Sequence, residues 1–540
     1  MAALLLLALL AASLLFPTED GGVILQHIAN KYVTNITRKP VEESGSSKTT
    51  SPSNGDARKF AEQYPDAAAA VAINSQQQFN ALYKRASALG VSVRWMPALR
   101  RAMLHGRDAA VRELLSGEEF TDLEVEYNIQ LSMIPEKRTE HIIGPSGRPF
   151  YDTALNWIGI KDDDSPKGRG AKIALLDTAV DMSAPVLTNA NIVSDDLFGL
   201  GGEPGNHGTM VASLLVGSSE LTKGAASDAE IISFPVVDAE GNGYVFNLAE
   251  AIVAAADSGA QIISMSLSCQ YESAVLGNAV DYAISKGCVI VAAAGNEGVA
   301  ADGTSTVGYP AAYKGVIAVG AVNADGRRAG FSSTGEEVTI VAPGVGLFAE
   351  NSDGTELFGG TSASTPLVAG AIAYVMGKKE NISAAEAAKT LLETTNDVGM
   401  PGDDYEYGLG QISVARALKS DIPNYNDSAA ADIVLTQNDD GSSSAYFSGQ
   451  NRGNESIGEM VLHCTLHFNT GESITEDIKF NNVSANQTVS LKLDVPDGET
   501  PLAAELSVTS SAEDDANSKN NSLLRFLMTP QNTDSNYGSN

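Results

Sequence analysis

The stretch Gly359–Gly370, GGTSASTPLVAG, sets the hydroxyl of Ser362 at a glycine-rich entry to an apolar run. Leu367, Val368, Ile372, Val375 and Met376 recur at helical spacing, and Ala369, Gly370 and Ala371 are small enough for close packing, so a buried helix is expected to begin here. Pro366 is expected within its first turn, where backbone N–H groups have no intrahelical partner. Those N–H groups, with the positive end of the helix dipole, would stabilise negative charge beside Ser362. A serine at such a place also serves as an ordinary helix cap. A base separates the two readings, because a serine hydroxyl is a useful nucleophile only when its proton is taken as it attacks.

Of the six histidines, only His207 falls between residues 142 and 462. It opens HGTMVASLLVG, a second helical pattern, with Gly208 leaving room for close approach. An imidazole base must be held in one tautomer and its cation stabilised, a task for a buried carboxylate. Asp177 ends the apolar run AKIALLD and fits that role; Asp181, four residues on, is its competitor and reads as a turn or solvent residue. Asn296 follows CVIVAAAG and offers a side-chain amide that, with the N–H of Ser362, would bind an oxyanion; an Asn after Ala-Gly is otherwise a common turn residue.

The elements that must position these groups alternate from about residue 150 to 420. Continuous apolar runs (AKIALLD, AEIISFPVV, AQIISMSLS, CVIVAAAGN) are separated by amphipathic helical ones (NLAEAIVAAADSG, AVLGNAVDYAISKG). This pattern predicts an α/β fold, a mostly parallel central sheet covered by helices on both faces. Chemistry in such sheets gathers beyond the carboxyl ends of the strands, where Asp177 and Asn296 are expected.

Taken in order, IALLDTAVD, HGTMVASLLVG, IISMSLS, VAAAGNEG, STVGYPAAYKGVIAVGAV, FSSTG, VAPG and GTSASTPLVAG resemble the motifs of the subtilisin-like serine proteases (subtilases, peptidase family S8) over roughly half the chain. The resemblance implies a triad of Asp177, His207 and Ser362 with Asn296 as oxyanion donor. It also implies that Ser266, Leu267 and Ser268 hold an extended substrate, and that Ala293, Gly295 and Gly308 line the pocket for the residue before the cut. Gly308 suits a large apolar side chain there, and Glu297 near the rim suits a basic one or is simply solvated. The chain departs from the family pattern at Ala179, at Ala363, Ser364 and Thr365, and at Ser268, where glycine is usual and a side chain would narrow the pocket entrance.

Residues 68–140 read as a small α+β unit: a helix over SQQQFNALYKRASALG, an alternating stretch VSVRWMPALRRAMLHG, a helix over RDAAVRELLS and a strand LEVEYNIQLSM. This unit resembles the inhibitory propeptides of the family, with Lys137 and Arg138 as a processing point or as plain solvated residues. From 430 to 528 the pattern turns to period-two strands with turn signals, predicting a β-sandwich, faintly similar to immunoglobulin-like adhesion modules and suited to contact with a cell surface or polymer. There, His463 and His467 fall on one strand face and Cys464 on the other, which argues against a shared metal.

The remaining segments are an apolar run over 1–17, read as a signal peptide or membrane anchor, a linker over 18–67 and a tail over 529–540. With 540 residues, 43% hydrophobic and 19% charged, the chain is globular and multidomain. A formal net charge of -32, its acidic excess lying after about residue 150, excludes nucleic acid as partner. Three scattered cysteines require no disulfide framework.

These readings combine into a secreted or cell-envelope serine endopeptidase that cuts protein or peptide substrates and is made with its own propeptide. The chemistry requires no cofactor. The family admits structural calcium, though no acidic loop here has diagnostic ligand spacing. Two rivals differ in kind. An α/β-hydrolase esterase needs G-x-S-x-G around its serine, which is absent at Ser362. A catalytically silent adhesion protein on a protease scaffold would keep the fold without turnover.

Overall fold

A computed structural model describes residues 68–133 and 147–527, except 164, 203, 380, 439, 513 and 514. The signal or anchor at 1–17, the linker at 18–67, the pair Lys137 and Arg138 and the tail at 529–540 lie outside the described residues.

The first elements are β1 (Ala69–Ala72), α1 (Gln76–Ala88), β2 (Ser92–Met96), β3 (Arg101–His105), α2 (Asp108–Leu115), β4 (Val125–Tyr127) and β5 (Gln130–Met133). Ser75 starts α1 by accepting the N–H of Gln78 at 3.2 Å. The alternating stretch at 91–106 is a hairpin, not one strand: Pro97 ends β2 and the chain doubles back antiparallel as β3. The expected single strand at 123–133 is likewise two strands in different sheets. β4 joins the antiparallel order β2-β3-β1-β4, then Asn128 turns aside, its N–H bonding the carbonyl of Ala68 and its Oδ1 accepting from Phe246 N at 3.1 Å. Those long-range bonds interrupt an alternation that sequence alone reads as continuous.

Between Ala154 and Lys378 lie α3 (Ala154–Ile158), β6 (Lys172–Asp177), β7 (Asn191–Ser194), α4 (Asn206–Val216), β8 (Glu230–Pro235), β9 (Asn242–Tyr244), α5 (Val245–Asp257), β10 (Ile262–Met265) and β11 (Leu267–Ser268). These are followed by α6 (Ala274–Ser285), β12 (Val289–Ala293), β13 (Val316–Val322), β14 (Val338–Pro343), β15 (Leu347–Asn351), β16 (Gly354–Phe358) and α7 (Thr361–Lys378). Seven strands form one all-parallel sheet in the order β14-β13-β12-β10-β6-β8-β7. Period-two alternation divides its core: Ile173 and Leu175 of β6 pack with α4 and α7 on one face, Ala174 and Leu176 with α5 and α6 on the other. The strand order changes direction at β6, so its carboxyl end opens a crevice where ligands can sit.

After α8 (Ala384–Glu393), capped by reciprocal bonds between Ser383 and Glu386, and α9 (Val414–Ala417), two antiparallel sheets close the chain. They comprise β17 (Ser428–Gln437), β18 (Ser443–Asn451) and β21 (Thr488–Asp494) on one side, and β20 (Ser473–Val483), β19 (Ile457–Phe468), β22 (Pro501–Ser510) and β23 (Ser522–Phe526) on the other. Phe447, Met460, Leu462, Leu466, Leu506 and Val508 fill the space between them, a β-sandwich core. Asp432 of β17 is buried and accepts the N–H groups of Ile433 and Gly399, while Arg525 of β23 pairs with it, so one carboxylate joins both sheets to the segment that follows α8.

The turn at Asp404–Gly408 hooks onto β14, with Leu409 N donating to Thr339 O at 3.0 Å. Asp404 Oδ1 accepts from Glu406 N and Tyr407 N at 2.8 and 2.9 Å, yet burial, with the nearby Glu406 charge adding to it, pushes this carboxyl up to about 6. The fold therefore holds the Asp404 proton more tightly than the unfolded chain, where the pKa is near about 3.9. The stabilisation is complete below that value and is lost as pH rises through about 6. Asp404→Asn, which keeps the acceptor oxygen but cannot ionise, is expected to flatten this part of the Tm profile when both proteins are scanned calorimetrically from about pH 4 to 7.

Candidate active site

Asp177 is the last residue of β6 and is buried. Its Oδ1 accepts the N–H of Thr178 at 2.7 Å and lies 2.8 Å from His207 Nδ1. His207 is the second residue of α4, and the helix is pressed against the strand by two glycines. A Cβ on Gly205 would fall 2.2 Å from Thr178 Oγ1, and one on Gly208 would fall 2.4 Å from Thr178 O. Gly208 N donates to Thr178 Oγ1 at 2.9 Å, so Thr178 binds both the carboxylate and the helix that carries the imidazole. The edge of His207 meets the ring of Phe358 at 5.3 Å, four residues before Ser362. Asp181 takes no part: its carboxylate accepts from the N–H and hydroxyl of Ser183 at 2.9 and 2.6 Å and from the Ser352 hydroxyl, bonds that lower its pKa.

Ser362 is the second residue of α7, an 18-residue helix buried from Thr361 to Val375. Its hydroxyl donates to the carbonyl of Ser266 at 3.3 Å, and the Ser266 hydroxyl donates to the carbonyl of Ser362 at 3.0 Å. The second bond corrects the expectation for Pro366. This residue is the sixth of α7, beyond the first turn, and its missing N–H leaves the carbonyl four positions back, that of Ser362, without its helical donor. Ser266 supplies that donor. Ala363, Ser364 and Thr365 are accommodated without touching this arrangement. Ser364 Oγ donates to the carbonyls of Ala342 and Pro343 at 3.1 and 3.0 Å, and Thr365 Oγ1 to Thr361 O at 2.8 Å.

Asn296 lies beyond the carboxyl end of β12, and Thr361 fixes its orientation. The Asn296 Oδ1 accepts from Thr361 N at 3.0 Å and Thr361 Oγ1 at 3.1 Å, which turns Nδ2 toward Gly360. A Cβ on Gly360 would lie 2.9 Å from that Nδ2, and the backbone there has φ of 96°, so glycine is needed on both counts.

Ser266, Leu267 and Ser268 continue beyond β10 as an edge, with Leu267 inserted in the core. β11 pairs antiparallel with β5, Leu267 opposite Met133 and Ser268 opposite Ser132; β5 pairs on its other side with β9. An extended segment of this same chain thus lies in the groove between two edges. The unit that carries it is seated on helices: Glu126 accepts from Ser273 Oγ and from Val275 N at 3.1 Å at the start of α6, and Arg94 pairs with Glu250 of α5. Ala293 is buried and Gly295 has φ of 123°. Gly308 N donates to Ala294 O at 3.0 Å, and Glu297 is exposed at the rim.

Cys269, beside this edge, donates to Tyr271 O at 3.3 Å, and burial pushes its thiol up to about 11, which keeps it protonated and unreactive. All three cysteines are free and buried. His463 pairs with Asp477 and His467 with Glu505 on the outward face of β19 while Cys464 faces the core, and among the described residues no group of three or more His, Cys, Asp or Glu is placed to hold a metal ion. No described helix is long and apolar enough to cross a membrane. Sequence reasoning missed Thr178, Thr361, Phe358 and the β9 edge. Thr178 and Thr361 stand beside Asp177 and Ser362, but the bonds that give them importance join segments far apart in sequence.

The subtilase family matches residues 168–410. Subtilisin DY of Bacillus licheniformis is 35% identical over 257 residues, covering 46% of this chain and 92% of the relative. Subtilisin E of Bacillus subtilis (strain 168) is 37% identical over 256 residues, covering 46% of this chain and 66% of the relative. Among solved structures, fervidolysin from Fervidobacterium pennivorans, a keratinolytic enzyme related to subtilisin, aligns with a TM-score of 0.55 over 83% of this chain and 90% of its own; at 18% identity the likeness is one of fold. With a parallel sheet of this order and these relatives across its middle half, the chain belongs to the subtilase family of serine endopeptidases.

Proposed function

We propose that Asp177, His207 and Ser362 act as a catalytic triad and that Asn296 donates to the oxyanion. The observation that carries this reading is the 2.8 Å contact between buried Asp177 and His207 Nδ1, made on the same rim where Ser362 opens a buried helix. In this reading the Ser362 hydroxyl leaves the Ser266 carbonyl for His207, which removes its proton as Oγ attacks the scissile carbonyl. The developing oxyanion meets Asn296 Nδ2 and the N–H of Ser362 near the positive end of α7. His207 then protonates the leaving amine, and water repeats the cycle to release the acyl group. The groups of this chain and water suffice for every step.

The substrate is an extended peptide held by main-chain bonds between β11 and β9, as β5 is held in this structure. We read residues 68–140 as an inhibitory propeptide whose β5 occupies the groove until it is removed. The apolar run at 1–17 supports export, to the cell envelope or beyond, and the C-terminal sandwich is assigned to contact with a surface or polymer there.

Four measurements test this reading. A fluorophosphonate probe is expected to label the protein and to lose labelling in Ser362→Ala; labelling that persists in the variant would assign the nucleophile elsewhere. N-terminal sequencing should find the wild type shortened and Ser362→Ala unprocessed, whereas identical starts would exclude self-maturation. Asn296→Ala is expected to lower kcat by about 100- to 1,000-fold with a small change in KM, a magnitude established for the side-chain oxyanion donor of a subtilisin and taken over here. Gly208→Ala, which must push α4 off Thr178 and misplace His207, should reduce kcat/KM on a peptide anilide by about 10-fold or more.

A further inference from the structure

On the protease reading, the segments at 266–269, 293–295 and 308–309 line the pocket for the residue before the cut, and backbone bonds join them. Cys269 N donates to Tyr309 O at 2.7 Å and Tyr309 N to Cys269 O at 2.9 Å, while Gly308 N donates to Ala294 O at 3.0 Å. The floor at Gly308 is therefore tied to both walls. The pocket's capacity is set by the side chains that project into it.

Alternation along 266–268 selects which of these do so. Leu267 points into the core, and the Ser266 hydroxyl is held by the carbonyl of Ser362. Ser268 falls on the same side as Ser266. A Cβ built on Gly308 would lie 3.0 Å from Ser268 Cβ, 3.1 Å from the Cys269 carbonyl oxygen and 3.2 Å from Ser268 Oγ, so the hydroxymethyl group stands beside the glycine floor. The room that Gly308 leaves is bounded by the Ser268 side chain and the Cys269 carbonyl, and of the two only the side chain can be removed by substitution.

On the protease reading of this cleft, we propose that Ser268 is a specificity-determining residue: it fills the pocket above Gly308, so that the enzyme cuts after alanine- or serine-sized side chains and rejects aromatic ones. In packed apolar pockets one surplus methylene is worth about 10- to 200-fold in kcat/KM, and a ring exceeds the available space by more than that.

The test compares succinyl-Ala-Ala-Pro-Ala and succinyl-Ala-Ala-Pro-Phe p-nitroanilides on the full chain, with working sites counted by fluorophosphonate titration. The wild type is expected to favour the alanine substrate in kcat/KM by about 10-fold or more. Ser268→Gly should shift the Phe-to-Ala ratio toward phenylalanine by about 10-fold or more, whereas Ser268→Ala, which keeps the Cβ, should hold it within about threefold of wild type. A wild type that prefers phenylalanine, or a ratio unmoved in Ser268→Gly, overturns the proposal and leaves the protease reading standing. Equal shifts in Ser268→Ala and Ser268→Gly also overturn it, because the hydroxyl and not the occupied space would then set the choice. Failure to label or to turn over either substrate overturns the protease reading and this proposal with it.

Discussion

The hydroxyl of Ser266 holds together the two parts of the cleft that must not move independently. It donates to the carbonyl of Ser362, tying the edge that flanks the groove to the first turn of the buried helix α7. Pro366 makes the bond necessary. Without an N–H at position 366, the Ser362 carbonyl is an unmet acceptor inside the protein, a defect that costs about 1–3 kcal/mol when nothing replaces the missing donor. The chain resolves it with a side chain from the neighbouring strand end. The position of the serine and the position of the groove edge are thereby set by one contact.

Close backbone approach sets the other half of the rim. Gly205 and Gly208 let α4 rest against Thr178, and Thr178 in turn donates to Asp177, so carboxylate and imidazole are placed by the same pair of segments. Asn296 is placed by Thr361, the residue beside Ser362. His207 and Asn296 are thus each held by the sequence neighbour of another rim group. This mutual dependence suits an electrostatic site, in which dipoles oriented before reaction need no rearrangement during it.

The groove in front of this rim is filled by β5, paired on both sides, and the unit bearing β5 is anchored at the starts of α5 and α6 through Asn128 and Glu126. At a helix start, the Asn128 amide oxygen and the Glu126 carboxylate each meet an N–H group without an intrahelical partner, and Glu126 also meets the positive end of the dipole, the same physics that favours negative charge at the start of α7. Toward the C-terminus, Asp432 collects donors from β17, from the segment at Gly399 and from β23. The sandwich is joined to its neighbour by a buried, multiply bonded carboxylate, not only by a tether.

Much of the parallel sheet was legible in the residue pattern, because a strand buried on both faces must be apolar throughout and a helix beside it must carry a stripe. Asp177 and Asn296 were readable as rim residues for the same reason: each ends an apolar run, and such ends share one edge of the sheet. His207 followed from its isolation among residues 142–462. The hairpin at Pro97, the division of 123–133 between two sheets, the displaced position of Pro366 and the roles of Thr178 and Thr361 were not legible. Local periodicity thus determined which segments are strands and helices and which polar groups stand at their ends. Only the tertiary structure decided which of those ends meet, because hydrogen bonds such as Ser266 to Ser362 and the contact of Ser268 with Gly308 join residues whose separation along the chain carries no signal of their proximity in space.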